Sequence, residues 1–413
     1  NEGTRTYSEH ASYTECRPEY QPTIGAPEFE LPVWELPRDV MRVYRADPPL
    51  VLEARYLPGD RALFVVHPQL VHDQTGDPWV ARTATLGRSL PPLRVSPGSS
   101  TRTLFVLDRL HPHALKVHFP YRVSRYGRRM RDEVVEQAIN VSGELQVWSG
   151  GGDPSFAFQR EVIGVVHPRT ESEGKRGENW GYLVRDLCPF PDAAGERRLI
   201  PGFALYGRDH FDPTLEPLIF DLADGGDPLG WTLHHVMLPA VRQWIRCYRD
   251  LGFILEPHGQ NLLLEIDGSD TVQRLVHRDL SVGIDMRRRR DVGLPDGALN
   301  ASLDRGRIAP FPSWPLRKGH PYSPLNRLDH LFGLSMCSAG RVKPARSDLR
   351  IPVRKVSVCV DFDHKADHSV TTGGAPIGEE SFGYRAASPF NQNVAGGDSG
   401  CADKSLAVEA EHI

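Results

Sequence analysis

The sequence predicts a mixed α/β (α+β) protein, with a mostly antiparallel sheet region followed by a helix and β-hairpin region. Three observations carry this. Short β-type runs separated by turn residues recur between Arg61 and Tyr206, with one helix-compatible stretch among them. The clearest helical periodicity comes later, over Leu229–Leu251, where Leu233, Val236, Met237, Ala240, Trp244, Tyr248 and Leu251 share a face. Directly after it, NLLLEI (Asn261–Ile266), the turn DGSD and VQRLVHRDL (Val272–Leu280) spell a β-hairpin.

Taken in order, residues 1–60 are rich in Pro, Glu and Tyr, lack a long periodic segment and read as an irregular N-terminal arm. Residues 61–225 form the β-rich region. Its strands are ALFVVHP (Ala62–Pro68), TRTLFVL (Thr101–Leu107), ALKVHF (Ala114–Phe119), EVIGVVH (Glu161–His167), WGYLVRDL (Trp180–Leu187) and ERRLIPGFALY (Glu196–Tyr206). A helix from about Arg128 interrupts them, with Val134, Val135 and Ala138 on one face. Residues 226–340 form the helix-hairpin region, in which Pro239 must kink or break the long helix. In residues 341–413 periodicity vanishes and small polar residues dominate from Ser369, which reads as a poorly ordered tail.

Composition narrows the function classes. A chain of 413 residues, 39% hydrophobic and 25% charged, is long enough for a sizeable core and is not wholly disordered. A net charge of -4 gives no global reason to expect a nucleic-acid partner. No stretch approaches the roughly 18 apolar residues of a membrane span, and NEGTRTYSEH lacks the pattern of a secretory leader. A soluble, cytoplasmic protein without a membrane partner is expected. The six cysteines are scattered without a CxxC pair, and read as thiols rather than a zinc site or disulfide framework. Lysine is sparse: Lys116 and Lys175 alone occur in residues 1–300, which marks them as places where a compact ammonium is retained.

Two clusters suggest chemistry. GSSTRT (Gly98–Thr103) is followed by Lys116 and, twelve residues later, Arg128. Hydroxyls, a guanidinium and an ammonium delivered from neighbouring strands suit an anion with several oxygens, such as a triphosphate. Neither a GxxxxGK[ST] loop nor a strand-GxGxxG-helix unit occurs. The second cluster is EPHGQN (Glu256–Asn261), joined by the hairpin to His277-Arg278-Asp279. In an extended segment Glu256, His258 and Gln260 would point the same way. Asn261 and Asp279 sit at the two hairpin ends, and with Glu256 they make an oxygen-rich set suited to Mg²⁺; protein kinases place a metal-binding Asn and Asp comparably. Elsewhere, His67-Pro68 ends a strand and is either structural or substrate-orienting. His111–His113 reads as a turn without a metal-ligand partner. Arg185-Asp186 is either a buried ion pair or an Arg reaching the anionic site. Arg287–Arg290 is a solvated face or a polyanion patch.

These motifs, in this order, resemble the NRPS-independent siderophore synthetases, the family of aerobactin and achromobactin synthetases. The resemblance rests on Ser100-Thr101-Arg102-Thr103, Lys116, Arg128, Glu256-Pro257-His258-Gly259-Gln260-Asn261 and Arg278-Asp279, and spans roughly residues 60–295. It implies an ATP-dependent ligase that adenylates a polycarboxylic acid such as citrate and condenses it with an amine, with an ATP cleft between the sheet and helix-hairpin regions. By the same likeness Ser100, Arg102, Thr103, Lys116, Arg128, His258, Gln260 and Asn261 bind ATP. Ser124 and Arg128 face the carboxylate, and Glu256, Asn261 and Asp279 hold Mg²⁺. Lys116, Arg128 and His258 take the catalytic roles, and a homodimer is implied. The family's HPxHPxxK segment has no counterpart here, and its HPWQ appears as His67-Pro68-Gln69-Leu70, so the expectation is a chain that lacks the N-terminal part. A kinase-like phosphotransferase and a non-catalytic remnant of a synthetase are the rival readings.

Overall fold

Alternating apolar side chains make FELPVWELP a strand, β1 (Phe29–Pro37), with Leu31, Val33 and Leu36 buried. This corrects the expectation of an irregular arm over 1–60. β1 pairs on one side with β3 (Arg61–Val65) and on the other with β4 (Arg88–Pro97), while β2 (Arg42–Arg45) adds to a later strand. The prolines in β1 and its bulge between Leu31 and Val33 mask the alternation.

The computed structural model describes residues 13–22, 25–73, 82–83, 85–98, 100–108, 110–123, 126–149, 155–167, 180–195, 197–207, 214–257, 259–295 and 299, together with 384–385 and 405–406. The chain divides into two units, Asn1–Val342 and Lys343–Ile413. In the second, the described residues form one antiparallel pair, Tyr384–Arg385 with Ser405–Leu406. The expectation of a poorly ordered tail over 341–413 otherwise falls outside the described residues.

The first unit is built on an 11-stranded sheet. After β4 come β5 (Thr103–Val106), β6 (His113–Val117), β7 (Phe119–Val123) and β8 (Tyr126–Arg128). Then follow β9 (Phe156–His167), β10 (Trp180–Phe190), β11 (Arg198–Pro201), β12 (Phe253–Ile254), β13 (Leu262–Ile266), β14 (Val272–His277) and β15 (Gly283–Ile284). The sheet order is β11-β13-β14-β9-β10-β6-β5-β4-β1-β3; β2 pairs with β9, while β7–β8 and β12–β15 are separate pairs. Every pairing in the sheet is antiparallel except β14 with β9. One edge of β9 serves two short partners, β14 at residues 156–158 and β2 at residues 163–166. The expected mixed architecture with a mostly antiparallel sheet is the one observed.

Helices cover the sheet. On one face, α1 (Leu50–Tyr56) and α2 (Pro68–Asp73) pack over a core that includes Leu52, Tyr56, Phe64, Val95, Leu115, Val165 and Tyr182. On the other lies α3 (Asp132–Ser149), whose Val135, Ala138 and Ile139 meet Val166 and Leu183. The contact is close because β9 offers Gly164, where an added Cβ would strike the Val135 side chain. Short helices α4 (Leu218–Leu222) and α5 (Pro228–Thr232) precede a π-helical turn over Leu233–Met237, which leads into α6 (Leu238–Leu251). The helical run read over 229–251, with a kink or break at Pro239, is thus three segments whose wide turn ends two residues before that proline. Pro239 cannot donate to, and its ring crowds, the carbonyl of His235, and the wide turn just before it accommodates that loss. Gly252 ends α6 at φ 68, where a Cβ would come within 2.7 Å of the Asp285 carbonyl oxygen. The last helix, α7 (Met286–Asp291), is not the solvated basic face expected of Arg287–Arg290 throughout: Arg289 is buried, bonding the Leu251 carbonyl at 2.9 Å and pairing with Glu144 at 2.9 Å.

Two histidines are structural. His67 sits among the rings of Tyr20, Phe29 and Phe119. His277 stacks on Phe156 and meets Gln243 Oε1 at 2.8 Å. Burial pushes both imidazoles down to about 3. They are neutral when folded but titrate near 6.5 when unfolded, so they leave stability intact above pH 6.5 and subtract from it as pH falls toward 3. Denaturant unfolding between pH 6.5 and 5 is expected to show a loss of about 1.4 kcal/mol per pH unit for each such histidine. His67→Phe is expected to reduce that slope; an unchanged slope would refute the assignment.

Candidate active site

The site starts from a turn. Gly98 N–H donates to the Thr103 carbonyl at 2.7 Å and Thr101 N–H to the Gly98 carbonyl at 2.9 Å, with Thr101 in the left-handed region at φ 59. Ser100 Oγ lies 3.2 Å from Thr103 Oγ1 and accepts from the Thr103 N–H at 3.4 Å. The strand expected from Thr101 therefore begins at Thr103, and the preceding hydroxyls belong to a closed turn. Arg102 is anchored through its carbonyl, which accepts from Val117 N–H at 2.9 Å, and its guanidinium donates to Met130 Sδ at 3.2 Å.

Register does the rest. Thr103 on β5 is directly opposite Lys116 on β6, which is opposite Leu183 on β10. Lys116 is only 3% exposed, and its Nζ donates to Asp279 Oδ1 at 2.6 Å, although the two are 163 residues apart. Asp279 reaches this point because β14 ends at His277 and the chain leaves the sheet there, with Asp279 itself at φ 69. The strand expected to continue to Leu280 ends at His277, and Arg278–Leu280 are irregular.

A second buried pair lies beside the first. Arg185 on β10 donates to Glu161 Oε1 on β9 at 2.5 Å, with the two side chains 6% and 0% exposed. Arg185 and Asp186 do not pair with each other; as neighbours on a strand they point to opposite faces, and Asp186 bonds Arg160 and His111 instead. Arg278 donates through Nε to the Gln260 carbonyl at 2.7 Å and through its backbone N–H to the Asn261 carbonyl at 2.9 Å, while Asn261 Nδ2 reaches Glu256 Oε2 at 3.3 Å. Hydrogen bonds thus tie EPHGQN to the end of β14, as the hairpin predicts. The segment is not extended, since Gly259 and Gln260 form a turn. A side chain at Gly259 would press on the Phe203 backbone nitrogen at 3.2 Å and the Tyr206 hydroxyl at 3.3 Å, which accounts for glycine in the motif.

The electrostatics follow from this crowding. Burial pulls the Lys116 ammonium below its ordinary range, against the opposing charges of Asp279 and Glu161. Burial alone would raise the Asp279 carboxyl, but Lys116, Arg185 and Arg102 outweigh it and hold Asp279 well below the usual carboxylate range. Burial, with Arg185 beside it, pushes Arg278 down to about 10. Cations outnumber anions among these groups, and Asp279 keeps 30% of its side chain exposed. The cluster is a desolvated, electropositive site with one accessible carboxylate, suited to holding a polyanion together with a cation.

Of the residues read from sequence, the structure brings Arg102, Lys116 and Asp279 into one electrostatic cluster, with Ser100 and Thr103 in the adjoining turn. Glu256, Gln260 and Asn261 join it through Arg278. Ser124 and His258 lie outside the described residues; for Arg128 the backbone alone is described, in β8 opposite Phe119. Glu161 escaped the sequence reading. Its signal was a carboxylate within the otherwise apolar run EVIGVVH, where a charge needs a partner.

Solved structures from siderophore biosynthesis share this fold at 16–17% identity. The ATP-bound aerobactin synthetase IucA from a hypervirulent pathotype of Klebsiella pneumoniae superposes with a TM-score of 0.58 at 16% identity, over 79% of this chain and 61% of its own. The aerobactin synthetase IucC from the same source gives 0.50 at 17% identity, over 76% and 62%. The petrobactin biosynthesis protein AsbB from Bacillus anthracis str. Sterne gives 0.51 at 16% identity, over 63% and 48%. The fold is that of the siderophore synthetases. The chain spans about half to three-fifths of the length of these siderophore synthetase structures. No family model and no curated protein matches the chain.

The Glu161–Arg185 pair yields a stability prediction. Glu161→Gln leaves a buried guanidinium uncompensated and is expected to cost about 3 kcal/mol, whereas Glu161→Met with Arg185→Met together is expected to cost less than Glu161→Gln. Urea unfolding of the variants measures this; a double variant as unstable as the sum of its parts would show that the pair acts otherwise.

Proposed function

We propose that this chain binds ATP with Mg²⁺ and adenylates a carboxylate of a polycarboxylic acid, citrate or one like it, for capture by an amine in siderophore biosynthesis. The observation that carries the reading is the 2.6 Å contact between the nearly buried Lys116 and the accessible Asp279, set among Arg102, Arg185 and Arg278. The likeness to an ATP-bound aerobactin synthetase adds to it.

The donor set fits Mg²⁺. Glu256 and Asp279 supply carboxylates and Asn261 an amide oxygen, the hard oxygen ligands this cation takes. Bound there, Mg²⁺ would offset charge on the phosphate oxygens as the phosphorus centre becomes crowded. Asp279, which accepts from the Lys116 ammonium at 2.6 Å, would be among the groups that hold the cation, and Lys116 would then be available to donate to a phosphate oxygen. Ser100, Arg102, Thr103 and Arg128 hold the triphosphate, with Gln260 and His258 completing its enclosure, and Ser124 and Arg128 face the carboxylate. A substrate carboxylate oxygen attacks the α-phosphorus and pyrophosphate leaves; the amine then attacks the acyl carbon and AMP leaves. No protein nucleophile is needed, and the fixed cations lower the barrier by electrostatic stabilisation.

Pyrophosphate release with ATP, Mg²⁺, citrate and hydroxylamine as acceptor tests the reading. Citrate-dependent release is expected, falling at least 100-fold in Lys116→Ala and Asp279→Ala, with melting curves confirming that both variants fold. Release of ADP without AMP would instead establish the kinase-like phosphotransferase. ATP binding without turnover of any acid and amine would establish the remnant.

A further inference from the structure

The turn His111–His113 was read as lacking a metal-ligand partner, and the structure overturns that. His111 Nε2, an Asp186 carboxylate oxygen and Cys188 Sγ lie within 4.8 Å of one another. They come from one strand and the approach to its neighbour: His111 lies two residues ahead of β6, while Asp186 and Cys188 are two apart near the end of β10, on the strand pair that also carries Lys116. Asp186 is directly opposite His113, whereas Lys116 is opposite Leu183, three residues further along. At about 3.3 Å per residue the cluster lies roughly 10 Å along the sheet from the Lys116 ammonium's strand position. It is therefore distinct from the proposed nucleotide site.

The geometry points to a divalent-cation site, of the zinc class, made by His111, Asp186 and Cys188. An imidazole nitrogen, a carboxylate oxygen and a thiolate are the mixed N, O and S donors that Zn²⁺ accepts, and three protein ligands leave a fourth position for water. The supporting contacts are those of an oriented ligand set. Asp186 is fully buried; its Oδ1 meets His111 Nε2 at 2.8 Å and accepts from the Cys188 N–H at 3.0 Å, while Oδ2 accepts from Arg160 at 2.7 Å. Arg160 thus fixes the carboxylate through the oxygen that the cation does not use, as outer-shell partners of metal ligands do. It is itself braced on the Phe190 ring at 5.4 Å. The turn is held from the other side as well: His113 Nδ1 meets the His111 carbonyl at 2.6 Å and His113 Nε2 the Tyr56 hydroxyl at 2.7 Å. His111 and Cys188 are partly exposed, so a cation can enter. On binding, Cys188 would give up its thiol proton to solvent, and His111 would coordinate through an unprotonated Nε2 while its other ring nitrogen keeps a proton. The bound ion clamps the turn ahead of β6 to β10.

The test uses the full chain, stripped of metal and reduced, titrated with Zn²⁺ by calorimetry and with Co²⁺ by absorption. Wild type is expected to bind one more equivalent of Zn²⁺ than either Cys188→Ser or His111→Gln. Its Co²⁺ complex should show a thiolate-to-metal charge-transfer band that Cys188→Ser abolishes. Asp279→Asn, at the other site, is expected to retain both signals, and melting curves without metal check that the variants are folded. Equal stoichiometry in wild type and both variants, or a charge-transfer band that survives Cys188→Ser, would overturn the proposal.

Discussion

The ion pair between Lys116 and Asp279 is the contact on which the rest of the candidate site depends. A nearly buried ammonium is costly without a counter-charge, and the one it finds belongs to a hairpin 163 residues away. Bringing the two together requires β6, β10, β9 and β14 to lie side by side in that order. The one parallel pairing in the sheet, β14 with β9, delivers the end of the hairpin to that place. The Glu161–Arg185 pair on the intervening strands then fills the gap with matched charge where apolar side chains would leave the ammonium more isolated.

The same arrangement accounts for the local oddities around the site. The left-handed backbone at Thr101 and Asp279, the tight packing of Gly259 on Phe203 and the turn at Gly259–Gln260 all lie in the segments that flank strands and carry the candidate site's polar groups. α3 is tied to the segment just beyond Asp279, where Gln137 Nε2 donates to the Val282 carbonyl at 2.6 Å. Sheet, helix and hairpin are thereby braced around Asp279.

Much of this was legible in the sequence because short-range signals sufficed. Apolar runs marked β3, β5, β6, β9 and β10, and the DGSD turn marked the hairpin. What stayed hidden was long-range. The strand β1 was obscured by its prolines and bulge, since a bulge breaks the period of two. Glu161 could be seen as an anomaly in an apolar run, but its partner could not be named without the register of β9 against β10. Nor could the turn at His111 be matched with Asp186 and Cys188, some 75 residues on, before the β6–β10 pairing was known. The fold is shared with siderophore synthetases at 16–17% identity, which is the expected result when spacing and pattern persist while most side chains change.

Equilibrium binding of ATP with and without Mg²⁺, to wild type and to Asp279→Asn, probes the proposed exchange of Asp279 between Lys116 and a cation. Wild type is expected to bind ATP weakly without Mg²⁺, because Asp279 occupies Lys116, and tightly with it. In Asp279→Asn the freed ammonium should tighten metal-free binding while the gain from Mg²⁺ is lost. If Asp279→Asn weakens ATP binding to the same extent with and without Mg²⁺, the exchange does not occur and the account is contradicted.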